Sequence, residues 1–440
     1  MKNVLVLGAG MISKPMITYL LDQPDIFVTM ASRTVSKAQI IIGNNSHGKA
    51  FELDVNNDLE VENFVSKADI VVSLLPYTYH VKVAQLCLKH KKHLVTTSYV
   101  SDAMKALDKI AKELGILLLN ECGLDPGIDH MSAMRVVHNV EDEGGKIISF
   151  RSTTGALPAF ESNTNPFGYK FSWSPRGVLL ASRNPAKWLE DGKEVEIPGE
   201  QLFENYYLQD VSGLGTFENY PNRNSIPYKQ IYGLKDAKTV YRGTFRMPGW
   251  CETIRRIVAL GWLNDKPVKG FTGKTFGDLT RFLIGAKPKD DLIKSTAEYL
   301  GIETYSTIVK RLEWLGLFSN EPLSKDKDNP LDYLNVLTLK KMSMGKDDKD
   351  MIVMHHEFIA KYPSKKEYIT STLVDYGIPG ADTSVARTVS LPAAIAVKLI
   401  LNNKIKLTGV QIPVIPELYN PILDELEVMG IKFTEKTQEL

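Results

Sequence analysis

The chain reads as an α/β protein whose first part is a doubly wound parallel sheet. Three observations predict this. Residues 4–13, VLVLGAGMIS, run from a strand through a Gly-rich turn into a helix start. Short apolar runs then alternate with helix-length segments as far as residue 120. After Gly123 the alternation stops and Tyr, Trp, Pro and Asn become common, so a second, mixed α/β region is expected. The first part is therefore a Rossmann-type domain.

Buried parallel strands are expected at 4–7, 27–31, 70–74, 94–97 and 116–119, with a weaker one at 50–53. A helix is expected over 101–114, with Ser101 as N-cap and Gly115 as its stop. Residues 146–154 and the later runs 351–354 and 368–373 read as strands. YPNRNSIPY (220–228) and VYRGTFRMPG (240–249) read as loops and strand ends. Residues 253–317 look helical, 319–330 is a polar linker, and Pro392 is expected to open a helix at its first turn.

Composition narrows the class. With 53 basic and 52 acidic side chains among 440 residues, no nucleic-acid footprint is expected. The three cysteines form no CxxC pair, which fits a reducing compartment. No apolar run is expected to reach the length of a membrane span, and MKNVLVLGAG leaves no room for a signal peptide. A soluble, cytoplasmic protein is the expectation.

In the turn, Gly8 allows the tight bend, Gly10 lets the backbone approach a pyrophosphate, and Ser13 need only be small. The helix start then offers N–H groups to phosphates. About twenty residues on, an NAD site places an acid on the ribose 2′-OH. This chain has Ser32 and Arg33 there, which suits a 2′-phosphate and hence NADP. SLLPYTYH (73–80) follows the fourth strand, where a nicotinamide would lie; Tyr77 and Tyr79 read equally as ligand contacts or loop packing. TTSYVS (96–101) offers Thr97, Ser98 and Tyr99 at the same sheet edge. In NECGLDPGIDH (120–130), Asp129 suits a helix cap and Asp125 suits substrate or proton work. Arg223, Arg242 and Arg246 lie in irregular segments, and their forked guanidinium groups point to a polycarboxylate ligand. Adjacent His355 and His356 face opposite ways and His130 begins a helix, so no metal is expected.

GAGMIS, SLLPYTYH, TTSYVS, ECGLDPGIDH, NPFGYKFSWSPRGVLL (165–180), YPNRNS, RGTFR, EWLGLF, STLVDYG and TVSLPAAIAVK occur in this order. Together they resemble the saccharopine dehydrogenases of the L-glutamate-forming kind, across nearly the whole chain. The resemblance implies reversible oxidation of saccharopine to L-glutamate and 2-aminoadipate 6-semialdehyde, with hydride passing to NADP. It implies a Rossmann domain over 1–125 completed by 388–440. A substrate-binding and dimerisation domain over 126–387 would hold a small helical subdomain at about 253–320. Implied cofactor contacts are Gly8, Ala9, Gly10, Met11, Ile12, Ala31, Ser32, Arg33, Asp54, Val55, Leu75, Thr97, Ser98, Tyr99, Leu124, Asp125, Pro126 and Ser174. Implied substrate contacts are Ser98, Tyr99, Asp125, Arg223, Thr244, Phe245 and Arg246, with Asp125 or Tyr99 moving the proton. A homodimer acting on a small molecule, without nucleic acid or membrane, is implied too. Two segments depart from the family pattern: GALPAFE (155–161), where many relatives read GGLPAPE, and RMPGW after RGTF. The alternatives are a sister imine-reducing dehydrogenase, of carboxynorspermidine or homospermidine type, and a nucleotide-binding protein without catalysis.

Overall fold

All six strand runs expected before residue 120 form, each within two residues of its expected bounds. The structure, a computed structural model, describes residues 1–271 and 273–440. It divides into one unit of Met1–Ile147 with Ile359–Leu440 and a second of Ile148–Phe358.

The first unit contains β1 (Lys2–Leu7), α1 (Ser13–Leu21), β2 (Ile26–Ser32), α2 (Val35–Ile42), β3 (Gly48–Glu52), α3 (Asp58–Lys67), β4 (Ile70–Ser73), α4 (His80–Lys89) and β5 (His93–Thr96). It continues with α5 (Asp102–Lys105), α6 (Asp108–Glu113), β6 (Leu117–Leu119) and α7 (Ile128–Asp142). The strands pair in parallel in the order β6-β5-β4-β1-β2-β3. Leu7 lies opposite both Ala31 and Ser73, and Ser73 opposite Thr96, so the strand C-termini share one edge. Strand order reverses between β1 and β4, and ligands bind such sheets outside that switch. Helices cover both faces, so the last four residues of β1 are apolar: Val4, Leu5, Val6 and Leu7 are all fully buried. Leu5 and Leu7 pack with Val61, Val65, Val83 and Ala84 from α3 and α4. Truncating either leucine to Ala would cost about 3 kcal/mol.

The expected helix at 101–114 is broken in two. Ser101 does cap it, accepting from Met104 N–H at 3.2 Å. It restarts at Asp108 as α6, and the Asp108 carboxylate accepts from Val410 N–H at 2.9 Å and from Lys112 at 2.7 Å.

The second unit opens on β7 (Lys146–Pro158), which begins just before its first residue. There follow α8 (Pro175–Ala181), β8 (Ala186–Glu190), β9 (Lys193–Ile197), β10 (Tyr207–Val211), β11 (Gly215–Pro221), α9 (Pro227–Ile231) and β12 (Thr239–Arg246). Strands β10, β11 and β12 run antiparallel and β12 pairs in parallel with β7, making a mixed sheet. Helices α10 (Trp250–Ala259), α11 (Phe276–Ile284), α12 (Leu292–Leu300), α13 (Thr307–Leu315) and α14 (Pro330–Met342) follow, then β13 (Asp350–Lys361). Side chains of Thr275, Asp291, Ser306 and Asn329 each accept a first-turn N–H, which fixes where α11 to α14 begin. YRGTFR is the body of β12, not a loop. Its alternation is real, but Arg242 and Arg246 replace the apolar residues that usually mark a buried face.

The remainder of the first unit is β14 (Lys366–Tyr376), α15 (Ser384–Leu401), β15 (Gly409–Gln411), α16 (Pro416–Val428) and β16 (Phe433–Glu439). β15 extends the parallel sheet beside β6, β16 pairs with β14, and α15 packs on α1. Pro392 lies inside α15 and does not open it; Thr383 caps the helix eight residues before Leu391. By length and a mean hydropathy of 1.5, α15 matches a membrane span, contrary to the sequence expectation, and 72% of it is buried within the protein.

Candidate active site

The edge formed by the C-termini of β1, β2, β4 and β5 collects most residues predicted to hold the cofactor. Gly8 adopts φ +110°, and a Cβ there would stand 3.1 Å from the Leu74 carbonyl, so only glycine fits. Ala9 is buried, Met11 is exposed, and no atom lies within 4 Å of where a Gly10 Cβ would be. Ser13 is buried and donates to the Gly10 carbonyl at 2.8 Å. No side chain caps α1 at Ile12 and no acid sits in its first turn. The turn therefore presents open backbone N–H groups without competing charge, and it fits a pyrophosphate. Ala31 is buried, Ser32 half-buried and Arg33 exposed at the end of β2, and α2 has no acid in its first turn. That donor set fits a 2′-phosphate. Asp54 is exposed and accepts from Asn56 N–H at 3.0 Å; the Val55 carbonyl accepts from Lys82 at 3.0 Å. Leu75 is half-buried just beyond β4.

The two candidate proton-transfer residues meet. The Tyr99 hydroxyl donates to Asp125 Oδ1 at 2.9 Å. Sequence reading had found no partner for either. Asp125 stands in a turn closed by Gly123 N–H to the Pro126 carbonyl (3.1 Å) and Ile128 N–H to the Gly123 carbonyl (2.8 Å). Leu124 and Pro126 are buried. A Cβ on Gly127, at φ +148°, would lie 2.0 Å from the Gly123 carbonyl oxygen. Asp129 is not the cap the sequence suggested: the N-cap of α7 is Gly127, and Asp129 sits in the first turn, where it accepts from Gly127 N–H at 2.6 Å.

Glu121, missed in the sequence, braces the loop that carries Ser98 and Tyr99. Its N–H donates to the Ser98 carbonyl (3.1 Å), its Oε1 accepts from Val100 N–H (2.8 Å), and its Oε2 lies 2.7 Å from His130 Nε2. It is 4% exposed at φ +57°, and His130 is fully buried. An acid at the end of an apolar strand was the available signal, since buried carboxylates have partners. His80 was missed as well. Its Nδ1 lies 2.9 Å from Ser73 Oγ, and its Nε2 lies 2.8 Å from Ser98 Oγ and 3.1 Å from Thr96 Oγ1. Burial pushes its pKa down to about 4, so the ring is neutral. Tyr79 reaches Asn56 at 3.2 Å and Tyr77 is exposed.

In the second unit Arg242, Thr244 and Arg246 share one face of β12 by strand alternation. Arg246 is 6% exposed, with Tyr169, Tyr220 and Trp250 rings at 5.0, 5.8 and 5.6 Å from its guanidinium carbon. One of its nitrogens donates to the Phe245 carbonyl at 2.8 Å, and its Nε has no partner. Glu218, opposite it on β11, is already held by Gly249 and Cys251 N–H at 2.6 and 2.7 Å. A buried guanidinium left without a carboxylate is a receptor for an anionic ligand. Arg242 is buried over the Tyr228 ring at 4.4 Å. Arg223 is exposed at φ +55°. The Phe245 ring packs on Phe217 at 5.4 Å, and the residue is fully buried in β12. Ser174 caps α8, accepting from Gly177 N–H at 3.2 Å. A separate 430 Å³ cavity, between Arg151, Trp188, Tyr207 and Glu357, contains none of the predicted site residues. His355 and His356 are buried in β13, and no cluster of three metal-ligating side chains occurs among the described residues.

Residues 4–119 match the saccharopine dehydrogenase NADP binding domain and residues 123–431 its C-terminal domain. The chain is 38% identical to the saccharopine dehydrogenase [NADP(+), L-glutamate-forming] of Schizosaccharomyces pombe over 99% of both chains. It superposes on the apo L-Glu-forming saccharopine dehydrogenase of Saccharomyces cerevisiae with a TM-score of 0.92 and 39% identity, covering both chains fully. A homospermidine synthase from Legionella pneumophila, 11% identical over 99% of this chain and 91% of its own, shares the fold at a TM-score of 0.58. The chain belongs to the saccharopine dehydrogenase family.

Proposed function

We propose that this protein is an NADP-dependent, L-glutamate-forming saccharopine dehydrogenase. It would interconvert saccharopine, water and NADP⁺ with L-glutamate, 2-aminoadipate 6-semialdehyde, NADPH and a proton. The observation that carries the reading is Arg246, a buried guanidinium with no acid of its own, in a chain related end to end to enzymes of that name. Saccharopine carries three carboxylates, and a forked cation in an aromatic surround is the group to hold one.

NADP, when bound, supplies the hydride acceptor or donor for the substrate's C–N carbon. Gly8 to Ile12, with Ala31 to Arg33, would hold its phosphates and ribose. Asp54, Val55, Leu75, Thr97, Leu124, Pro126 and Ser174 are assigned to its remaining contacts. The chain's own tasks are orientation and proton movement. Arg246 with Thr244 and the Phe245 backbone, and Arg223, would fix substrate carboxylates and so the direction of the reacting C–H bond. The secondary amine, protonated in neutral water, must give up that added proton before hydride can leave. Asp125 would accept it, with Tyr99 holding the carboxylate in place from 2.9 Å. In the same position the pair would move the protons of imine hydrolysis.

We assign the cofactor half to residues 1–125 completed by 388–440, and the substrate half, with a helical subdomain at about 253–320, to 126–387. A cytoplasmic homodimer is proposed with them. Sedimentation at micromolar concentration tests the dimer, and a single monomeric species overturns it. The function is tested by offering saccharopine with NADP⁺. Reduced cofactor and glutamate should appear together, whereas a homospermidine-type or non-catalytic protein would yield neither.

A further inference from the structure

Three hydroxyls and one imidazole fill the gap between the ends of two central strands. Ser73 and Thr96 are the last residues of β4 and β5 and stand opposite each other in register, both fully buried. His80, the first residue of α4, is 4% exposed, and its ring is inserted beside them. Nδ1 meets Ser73 Oγ at 2.9 Å. Nε2 meets Ser98 Oγ at 2.8 Å, with Thr96 Oγ1 further off at 3.1 Å. A neutral imidazole has one N–H and one lone pair. In either tautomer Nε2 ties the Ser98 oxygen, as donor to it or as acceptor of its proton. Ser98 is only half-buried, so it is the one member of the chain that faces outward from the sheet edge.

An ordinary core histidine would have a partner at one nitrogen and packing elsewhere. Here both nitrogens are engaged, and the outer partner adjoins Tyr99, whose hydroxyl holds Asp125. The Ser98 backbone is separately fixed by Glu121, whose N–H meets the Ser98 carbonyl at 3.1 Å. Only the side-chain rotamer is left to be set, and the imidazole sets it. We infer that His80 is a positioning residue that locks the Ser98 hydroxyl in its reactive orientation. The inference rests on the proposal that Ser98 contacts substrate and cofactor. His80 itself stays neutral and out of reach of the substrate.

The two amide replacements separate this from a packing role. Gln places its amide group near the position of imidazole Nε2, and Asn near Nδ1. His80→Asn keeps the Ser73 contact and loses Ser98; His80→Gln does the reverse. At saturating NADP⁺, His80→Asn should lower kcat/KM for saccharopine about tenfold, the value of one ordered hydrogen bond, and His80→Gln should restore most of it. Ser98→Ala should cost a similar factor alone and add almost nothing to His80→Asn. Ser73→Ala, a smaller change at the far side of the ring, is the second probe should His80→Asn not fold. It should give a partial loss that vanishes in the Ser98→Ala background. Equal losses for Asn and Gln, or losses that multiply with Ser98→Ala, would overturn the positioning role while leaving Ser98 in the site. A wild-type kcat/KM for Ser98→Ala would overturn both that role and the placement of Ser98 in the site.

Discussion

The hydroxyl of Tyr99 donates to Oδ1 of Asp125 across 2.9 Å, joining the loop after β5 to the turn after β6. The bond holds the Asp125 carboxylate in one orientation. If Asp125 is the base, Asp125→Asn should lower kcat for saccharopine oxidation by about 100-fold or more. Tyr99→Phe, which keeps the carboxylate, should cost less. A rise in KM for saccharopine with kcat unchanged for Asp125→Asn would make the residue a substrate anchor only.

Arg33 is the residue proposed to choose the cofactor. It is exposed at the end of β2, and no acid occupies the first turn of α2. Arg33→Asp would remove a charge-assisted contact of about 2 kcal/mol and repel the 2′-phosphate. The ratio of kcat/KM for NADP⁺ over NAD⁺ should fall by about thirtyfold or more. An unchanged ratio would remove Arg33 from the 2′-phosphate site.

Arg246 should oppose stability while serving the reaction. Its guanidinium is buried among rings without a carboxylate, and Glu218 is committed to backbone N–H groups. Arg246→Met should therefore keep or raise the melting temperature of the ligand-free protein. It should lower kcat/KM for saccharopine by about 2–4 kcal/mol of transition-state binding. Loss of fold together with loss of activity would mean that the cation is structural.

His80 makes a definite contribution to acid sensitivity. Its pKa is about 4 folded against 6.5 in the open chain. Between those values the unfolded chain takes up a proton that the folded one refuses, so this part of the stability is present above pH 6.5 and declines as pH falls. The decline amounts to about 3 kcal/mol by about pH 4. His80→Gln should remove it, giving a shallower loss of denaturant midpoint on acidification than wild type. Parallel wild-type and mutant curves would mean the ring is protonated in the fold.

The sheet of the first unit was legible because its strands are buried on both faces and so read as continuous apolar runs. Val4 to Leu7 needed no tertiary knowledge. The glycine turn and the Ser32–Arg33 pair were legible because spacing along one strand–turn–helix unit is local. YRGTFR was misread because two buried arginines broke the apolar alternation that marks a strand. Pro392 was misread as a helix start because proline favours a first turn, whereas Thr383, the true cap, lies nine residues earlier. The 101–114 helix breaks where Leu107 N–H turns to the Met104 carbonyl, and Asp108 just beyond is held by Val410, some 300 residues away, which no local pattern contains. His80 and Glu121 stayed hidden for the same reason. Each is an ordinary residue type whose meaning comes only from hydroxyls and amides that neighbouring strands bring to it.

The most direct test of the central claim is to identify the amino acid released from saccharopine while following cofactor reduction with NADP⁺ and with NAD⁺. The account predicts L-glutamate, formed one for one with NADPH and faster with NADP⁺ than with NAD⁺. Release of lysine, preference for NAD⁺, or no turnover of saccharopine would contradict it.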